Sequence, residues 1–139
     1  MPANTSPIFT LVGNFLPARI SAANTASDGS GALVALVTAG ADGSRVDGVR
    51  FRNAQVTAAA SSNMVHRIFL SDATGANFRL VGEVATPAAT RSTTAIGTTS
   101  IFTFDQPVIM RSGQVMSVCQ SVYASAADLT DAIAYAGNY

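Results

Sequence analysis

A-G-A-D-G-S-R-V-D-G-V-R-F-R-N-A-Q-V-T, residues 39–57, joins a Gly-Asp turn to a long alternating segment. Apolar and polar residues that trade places at every position mark a strand with one buried face. Val49, Phe51 and, less regularly, Ala54 are expected to face a core, with Arg50 and Arg52 on the opposite side. Gly48 interrupts the run after Asp47, and a residue without a side chain inside a strand points to a bulge or a close backbone approach. Nothing in the stretch looks catalytic.

Working outward, the neighbours are also strands. L-V-A-L-V-T at 33–38 is a short apolar run, read as a strand covered on both sides. M-V-H-R-I-F-L-S (64–71) and N-F-R-L-V-G-E-V-A (77–85) flank D-A-T-G-A, a hairpin signature in which Gly75 is free to take positive φ. His66, Ile68 and Leu70 share a face of the first arm. On the second, Phe78, Leu80 and Val84 are set against Arg79, Val81 and Glu83. After a polar connection at 86–95, I-G-T-T-S-I-F-T-F reads as a strand with Phe102 and Phe104 inward. Pro107 demotes the next part to a sheet edge, and Ser112-Gly113 marks a turn. Residues 114–123 are strand again, with Met116 and Val118 on one face. A-S-A-A-D-L-T-D-A at 124–132 is one helical turn or a loop capped by Asp128, and I-A-Y-A-G-N-Y closes the chain as a last strand. About eight short strands with regular turns make an all-β, antiparallel β-sandwich, jelly-roll-like. No helical stripe is long enough for a βαβ crossover, which excludes a doubly wound domain.

Residues 1–31 are expected to be irregular and 32–139 to form the sandwich domain. Pro2, Pro7 and Pro17 frame two apolar pieces in the first segment. Ile8, Phe9, Leu11, Val12, Phe15 and Leu16 make it too apolar for a solvated disordered arm. It is either the first edge strand of the fold or an extended arm laid on another subunit.

Charge is sparse. Only 12% of the 139 residues are charged, with eight arginines, eight acids and no lysine, against about 25% in an ordinary globular domain. Zero net charge gives no pull toward nucleic acid or an anionic membrane. Depletion of Lys, Glu and Asp with Arg retained is the composition of a buried interface. Arg50, Arg52, Arg67 and Arg79 are expected on one outer face, meeting acids of a neighbouring subunit in a homo-oligomer. No signal sequence or membrane-length apolar run is present, so a soluble, non-secreted chain is expected.

Residues suited to chemistry are few. His66 is the only histidine, so any Ser-His-Asp or Cys-His assignment must pass through it. Its place in a strand beside Ile68 and Leu70 favours a structural role. Cys119, the only cysteine, reads as a buried small hydrophobe and leaves no cysteine cluster for a metal. Asp28, Asp42, Asp72, Asp128 and Asp131 sit beside turn residues, where a carboxylate caps backbone N–H groups. Asp128 and Asp131 are three residues apart but lack the calcium-loop pattern. No phosphate-binding glycine motif occurs. No catalytic, metal or cofactor site is assigned and no enzymatic activity is expected.

One resemblance adds to this reading. The order T-A-G-A-D-G-S-R-V-D-G-V-R-F (38–51), V-H-R-I-F-L (65–70), F-R-L-V-G-E-V (78–84), Q-P-V-I-M-R-S-G-Q-V-M-S-V (106–118) and terminal Y-A-G-N-Y resembles a family of small tailed-bacteriophage structural proteins. There an "A-G-x-x-G-S-R-I" turn leads into a strand, an "L-P-A-G" turn corresponds to M-R-S-G (110–113), and a "G-G-D-Y" end corresponds to A-G-N-Y (136–139). The likeness covers roughly residues 22–139 and rests on turns and strands. Arg111-Ser112 replaces Pro-Ala, and Asn138 replaces Asp. The family is similar to jelly-roll virion proteins, including capsid cement or decoration proteins that form trimers and clamp major capsid proteins together. The resemblance therefore implies a virion location on the capsid surface, after assembly in the host cytoplasm, with a major capsid protein as partner. Its alternative is a tail-associated module that binds a receptor or carbohydrate.

Overall fold

The computed structural model describes residues 10, 12–55 and 58–139. Its strands are β1 (Val12–Gly13), β2 (Ala18–Ile20), β3 (Val34–Thr38), β4 (Ser44–Asn53), β5 (Met64–Leu70), β6 (Arg79–Thr86), β7 (Thr99–Met110), β8 (Val115–Gln120) and β9 (Thr130–Asn138). One 3₁₀ turn, Ala126–Asp128, precedes β9. All-β is borne out.

The topology follows from folding the chain in half. The D-A-T-G-A turn makes β5 and β6 a hairpin, with Gly75 at φ 77° and Asn77 at φ 51°. From that turn the two halves pair along their length: β4 with β7, β3 with β8 and β2 with β9, all antiparallel. The double ribbon then rolls up, so that β4 also pairs with β9 and β5 with β8. Two sheets result, β2-β9-β4-β7 and β3-β8-β5-β6, with β1 extending the first along β9. This winding is the jelly roll. Pro107 lies in β7, an edge strand, as its missing N–H requires.

The core lies between the sheets. Val46, Val49 and Phe51 of β4 meet Ile68, Met116 and Val118 from the facing sheet in one buried cluster with Ile20, Leu36, Val37 and Met110. From β9 the cluster takes Ala132, Ala134 and Ala136. Phe102 and Phe104 pack against it as expected, edge to face at 5.1 Å.

Gly48 does what its position suggested. The registers of β4 with both β7 and β9 shift between Val46 and Gly48. Because the bulge adds one residue, Val46 and Val49 both face inward. A Cβ on Gly48 would lie 2.6 Å from the carbonyl oxygen of Phe102 on β7.

Within 1–31, residues 12–13 form an edge strand, one of the two readings of that segment, and residues 18–20 add a strand that its irregularity hid, with Ile20 fully buried. Two further details differ from the sequence reading. Leu80 was paired with Val84, but a register shift after Ile68 leaves Val81 packed with Val84 on the core side and Leu80 exposed. The 33–38 strand sits at a sheet edge, where a bulge lets both Leu36 and Val37 be buried.

The bulge generates a test. Gly48→Ala puts a methyl group against backbone that is held in a ladder, and should cost about 2 kcal/mol or more. Gly75→Ala meets only contacts of 3.5 Å and beyond, and should cost about 1 kcal/mol through its left-handed backbone alone. Urea unfolding midpoints compare the two. A Gly48→Ala variant as stable as Gly75→Ala would show that the close approach constrains nothing.

Candidate interaction surface

The outer face of the β2-β9-β4-β7 sheet is where large side chains are placed against expectation. Along β9 the alanines point into the core, so by alternation Ile133 and Tyr135 point out. On β7, Phe102 and Phe104 point in and leave Ile101 55% and Ile109 58% exposed. Cross-strand register sets Arg50 between Ile133 and Ile101, and Arg52 between Asp131 and Thr99. The face therefore mixes isoleucines with guanidinium groups, both with long reach.

Its charges are unevenly satisfied. Arg19 forks onto Asp131 at 2.8 and 3.1 Å, and Arg45 holds Asp47 at 2.8 Å. Arg50 and Arg52 make no ion pair or hydrogen bond with any described residue. Both acids of the central strands are thus engaged, and two arginines remain without a partner. Asp105 stands exposed in the stretch of β7 where no register with β4 is held.

Arg67 and Arg79, expected on the same face, lie on the other sheet. Alternation assigns a residue to a side of its own strand but does not say which sheet the strand joins. Arg67 is consumed internally, bound to Glu83 at 2.7 Å and donating to the Thr25 carbonyl. There it fixes the 22–31 loop over the outward side of β8, where Cys119 is fully buried and its Sγ lies 3.7 Å from the Asn24 carbonyl. Burial pushes the Cys119 thiol up from its ordinary pKa, which makes it inert as a nucleophile.

The second exposed feature is the N-terminal arm. Two residue pairs join it to β9, Val12 with Asn138 and Gly13 with Gly137, and Asn14 donates to the Asn138 side chain. Val12, Phe15 and Leu16 are 62%, 54% and 73% exposed. Between residues 13–17 and β3 lies an open cleft of about 640 Å³ lined by Ala35, Leu36 and Thr38. Ile8, Phe9 and Leu11 lie outside the described residues.

Family models, curated proteins and solved structures were all compared with the chain, and none matches it. Its reading rests on its own side chains.

His66 sits inside the sandwich rather than in a cleft. It is 1% exposed and stacks on Phe51 with ring centroids 4.4 Å apart. Thr86 Oγ1 donates onward to Ser100, so it accepts from His66 Nδ1–H at 2.8 Å. Nε2 then faces the Thr130 hydroxyl at 3.3 Å. No carboxylate takes part. Beside it, Asn53 and Gln120 donate to the carbonyls of Ala127 and Asp128. The Asp128 carboxylate accepts from the amides of Ser62 and Ala124. Burial works against its charge, but those amides outweigh burial and hold its pKa below the usual carboxylate value. Asp131 faces Arg19 instead, so the two acids do not share a site. Among the described residues no group of three or more His, Cys, Asp and Glu side chains converges, and no helix is long and apolar enough to cross a membrane. The outward Ile101 of β7 was legible from the inward Phe102 and Phe104 by alternation. The outward Ile133 and Tyr135 were not, because either face of I-A-Y-A is apolar.

Burial lowers the His66 pKa to about 4 from 6.5. The unfolded chain therefore binds a proton near pH 6.5 that the folded chain refuses until about pH 4. This contribution to stability is complete above pH 6.5, falls as pH drops through that window, and totals about 3 kcal/mol. Urea midpoints should decline from pH 7 to 4.5, and His66→Gln should flatten the decline. With one histidine in the chain, its imidazole resonance can be followed alone in the unaltered protein. Titration of that resonance near pH 6.5 would sink the account.

Proposed function

We propose that the protein is a non-enzymatic structural component of a phage virion, a capsid cement or decoration protein that stabilises contacts between major capsid proteins. The observation that carries this reading is the arm. Val12, Phe15 and Leu16 are each more than half exposed, and Phe15 and Leu16 line an open cleft. Exposing them costs free energy unless another surface covers them. The sequence resemblance supplies the kind of surface, a capsid, and the kind of assembly, a trimer.

The alternative, a tail-associated module that grips a receptor or carbohydrate, needs aromatic side chains gathered on solvent. Tyr123 precedes β9, Tyr135 lies on its outer face and Tyr139 follows its end. Of the three only Tyr135 is exposed, and Tyr123 lies in the loop at the Thr130 end of β9, away from Tyr139 past its other end, so they form no common patch. That arrangement favours the capsid reading.

Deleting residues 1–16 removes β1 and the exposed apolar side chains but keeps β2 and the buried Ile20. The truncated chain should melt within a few degrees of the full one while losing association with particles assembled without this protein. Sedimentation of such particles with either chain measures it, and electron cryo-microscopy of the decorated particle locates it. Equal co-sedimentation of the truncated chain would remove the arm from the proposal.

A further inference from the structure

The outer face of the β2-β9-β4-β7 sheet is a second surface, separate in composition from the arm. It carries four arginines, Arg19, Arg45, Arg50 and Arg52, against Asp47 and Asp131 on its central strands and exposed Asp105 on β7. Asp47 and Asp131 are already held by Arg45 and Arg19, so the surplus is concentrated at Arg50 and Arg52. Those two stand beside exposed Ile101 and outward Ile133. Arg residues among apolar side chains are what desolvated protein interfaces select, since the guanidinium is weakly hydrated and accepts a carboxylate in a fork.

The charge pattern chooses among occupants. A second copy about a two-fold axis would set these guanidinium groups near their own kind, and in any other arrangement it could offer them only Asp42 and Asp105, since the other six acids are held by arginines or by groups of nearby loops. Nucleic acid would call for exposed aromatic rings for stacking or a stronger positive surplus, and the face offers Tyr135 alone. We infer that this face docks an acidic surface of a different protein, with carboxylates received by Arg50 and Arg52 and apolar side chains seated on Ile101 and Ile133. The inference deepens the assembly reading and rests on it for the partner being a protein.

The absence of lysine from the sequence provides a direct test. Arg50→Lys or Arg52→Lys installs the chain's single side-chain amine, and a carbodiimide then joins that amine to any carboxylate in contact with it, with no spacer. Arg79→Lys, at an exposed position of β6 in the other sheet, serves as control. The full-length variants are treated in fresh lysates of the cells that naturally make the protein, and the joined peptides are sequenced by mass spectrometry. The expected result is an adduct from positions 50 and 52, absent from the control, to Asp or Glu of another protein that, once purified, also binds the unaltered chain. Arg50→Ala with Arg52→Ala should weaken the same association roughly tenfold, and less so in high salt. Adducts confined to this chain's own acids would make the occupant a second copy and overturn the inference. So would no adduct above the control, or retention of duplex DNA that depends on Arg50 and Arg52. Sedimentation separates the two proposals. Co-sedimentation with particles but no adduct leaves the virion reading standing and sinks this one. A specific adduct to a protein that is not part of a particle does the reverse.

Discussion

Pairing of β4 with β9 is the constraint on which the molecule depends. Every other pairing of the rolled ribbon joins strands that face each other across the fold in the middle of the chain, or follows from its coiling. The β4–β9 ladder runs from Ser44 opposite Asn138 to Asn53 opposite Thr130 and closes the first sheet. It places the last strand between β4 on one side and the N-terminal β1 and β2 on the other. Small side chains make the arrangement possible. Ala132, Ala134 and Ala136 leave room above β9 for Phe51, Met110 and Met116, which fill the space between the sheets. The small residues of β9 are in this sense a packing requirement.

That ladder also gives the sandwich two different ends. Around Asn53 and Thr130, loops are tied down by buried donors and acceptors: Asn53 and Gln120 to carbonyls of the 3₁₀ region, Asp128 to amides on two loops, and His66 between two threonines. The donors of Asn53 and Gln120 and the acceptors of Asp128 each meet a specific partner, which makes this end costly to open. Around Ser44 and Asn138 the hydrogen bonds hold something else. Asn138 accepts from both Ser44 and Asn14, so the side chain that finishes β9 also positions the arm. One end is closed for stability, and the other presents the arm.

The sheet content was legible because turns and alternation are local properties. Gly48 revealed its bulge, Gly75 its hairpin, and Pro107 the edge of a sheet. What escaped depends on distant partners. Leu80 changed faces because a register shift against β5 inserts Val81, and no residue in F-R-L-V-G-E-V announces it. Arg67 and Arg79 separated from Arg50 and Arg52 because sheet membership is decided by the rolling of the ribbon. The short β2 was hidden by its three-residue length and by Pro17 just before it, and only the open edge of β9 makes it a strand.

Sparse charge takes on a different meaning in this geometry. An isolated domain is kept soluble by charges spread over its surface. In this chain, half of the arginines gather on one sheet face with outward isoleucines, and the only uncharged arm carries exposed Phe15 and Leu16. Of the acids, Asp28 and Asp72 bind backbone and side-chain groups of their own turns, which lowers both pKa values. Most charges are therefore committed to holding loops or strands, and two of the free ones, Arg50 and Arg52, are neighbours on one face of β4. A chain built so has a stable interior and two unfinished surfaces on the same sheet, the arm at the Asn138 end and the arginine rows toward Thr130. Both lie along β9, so the pairing of that one strand fixes where each stands relative to the other.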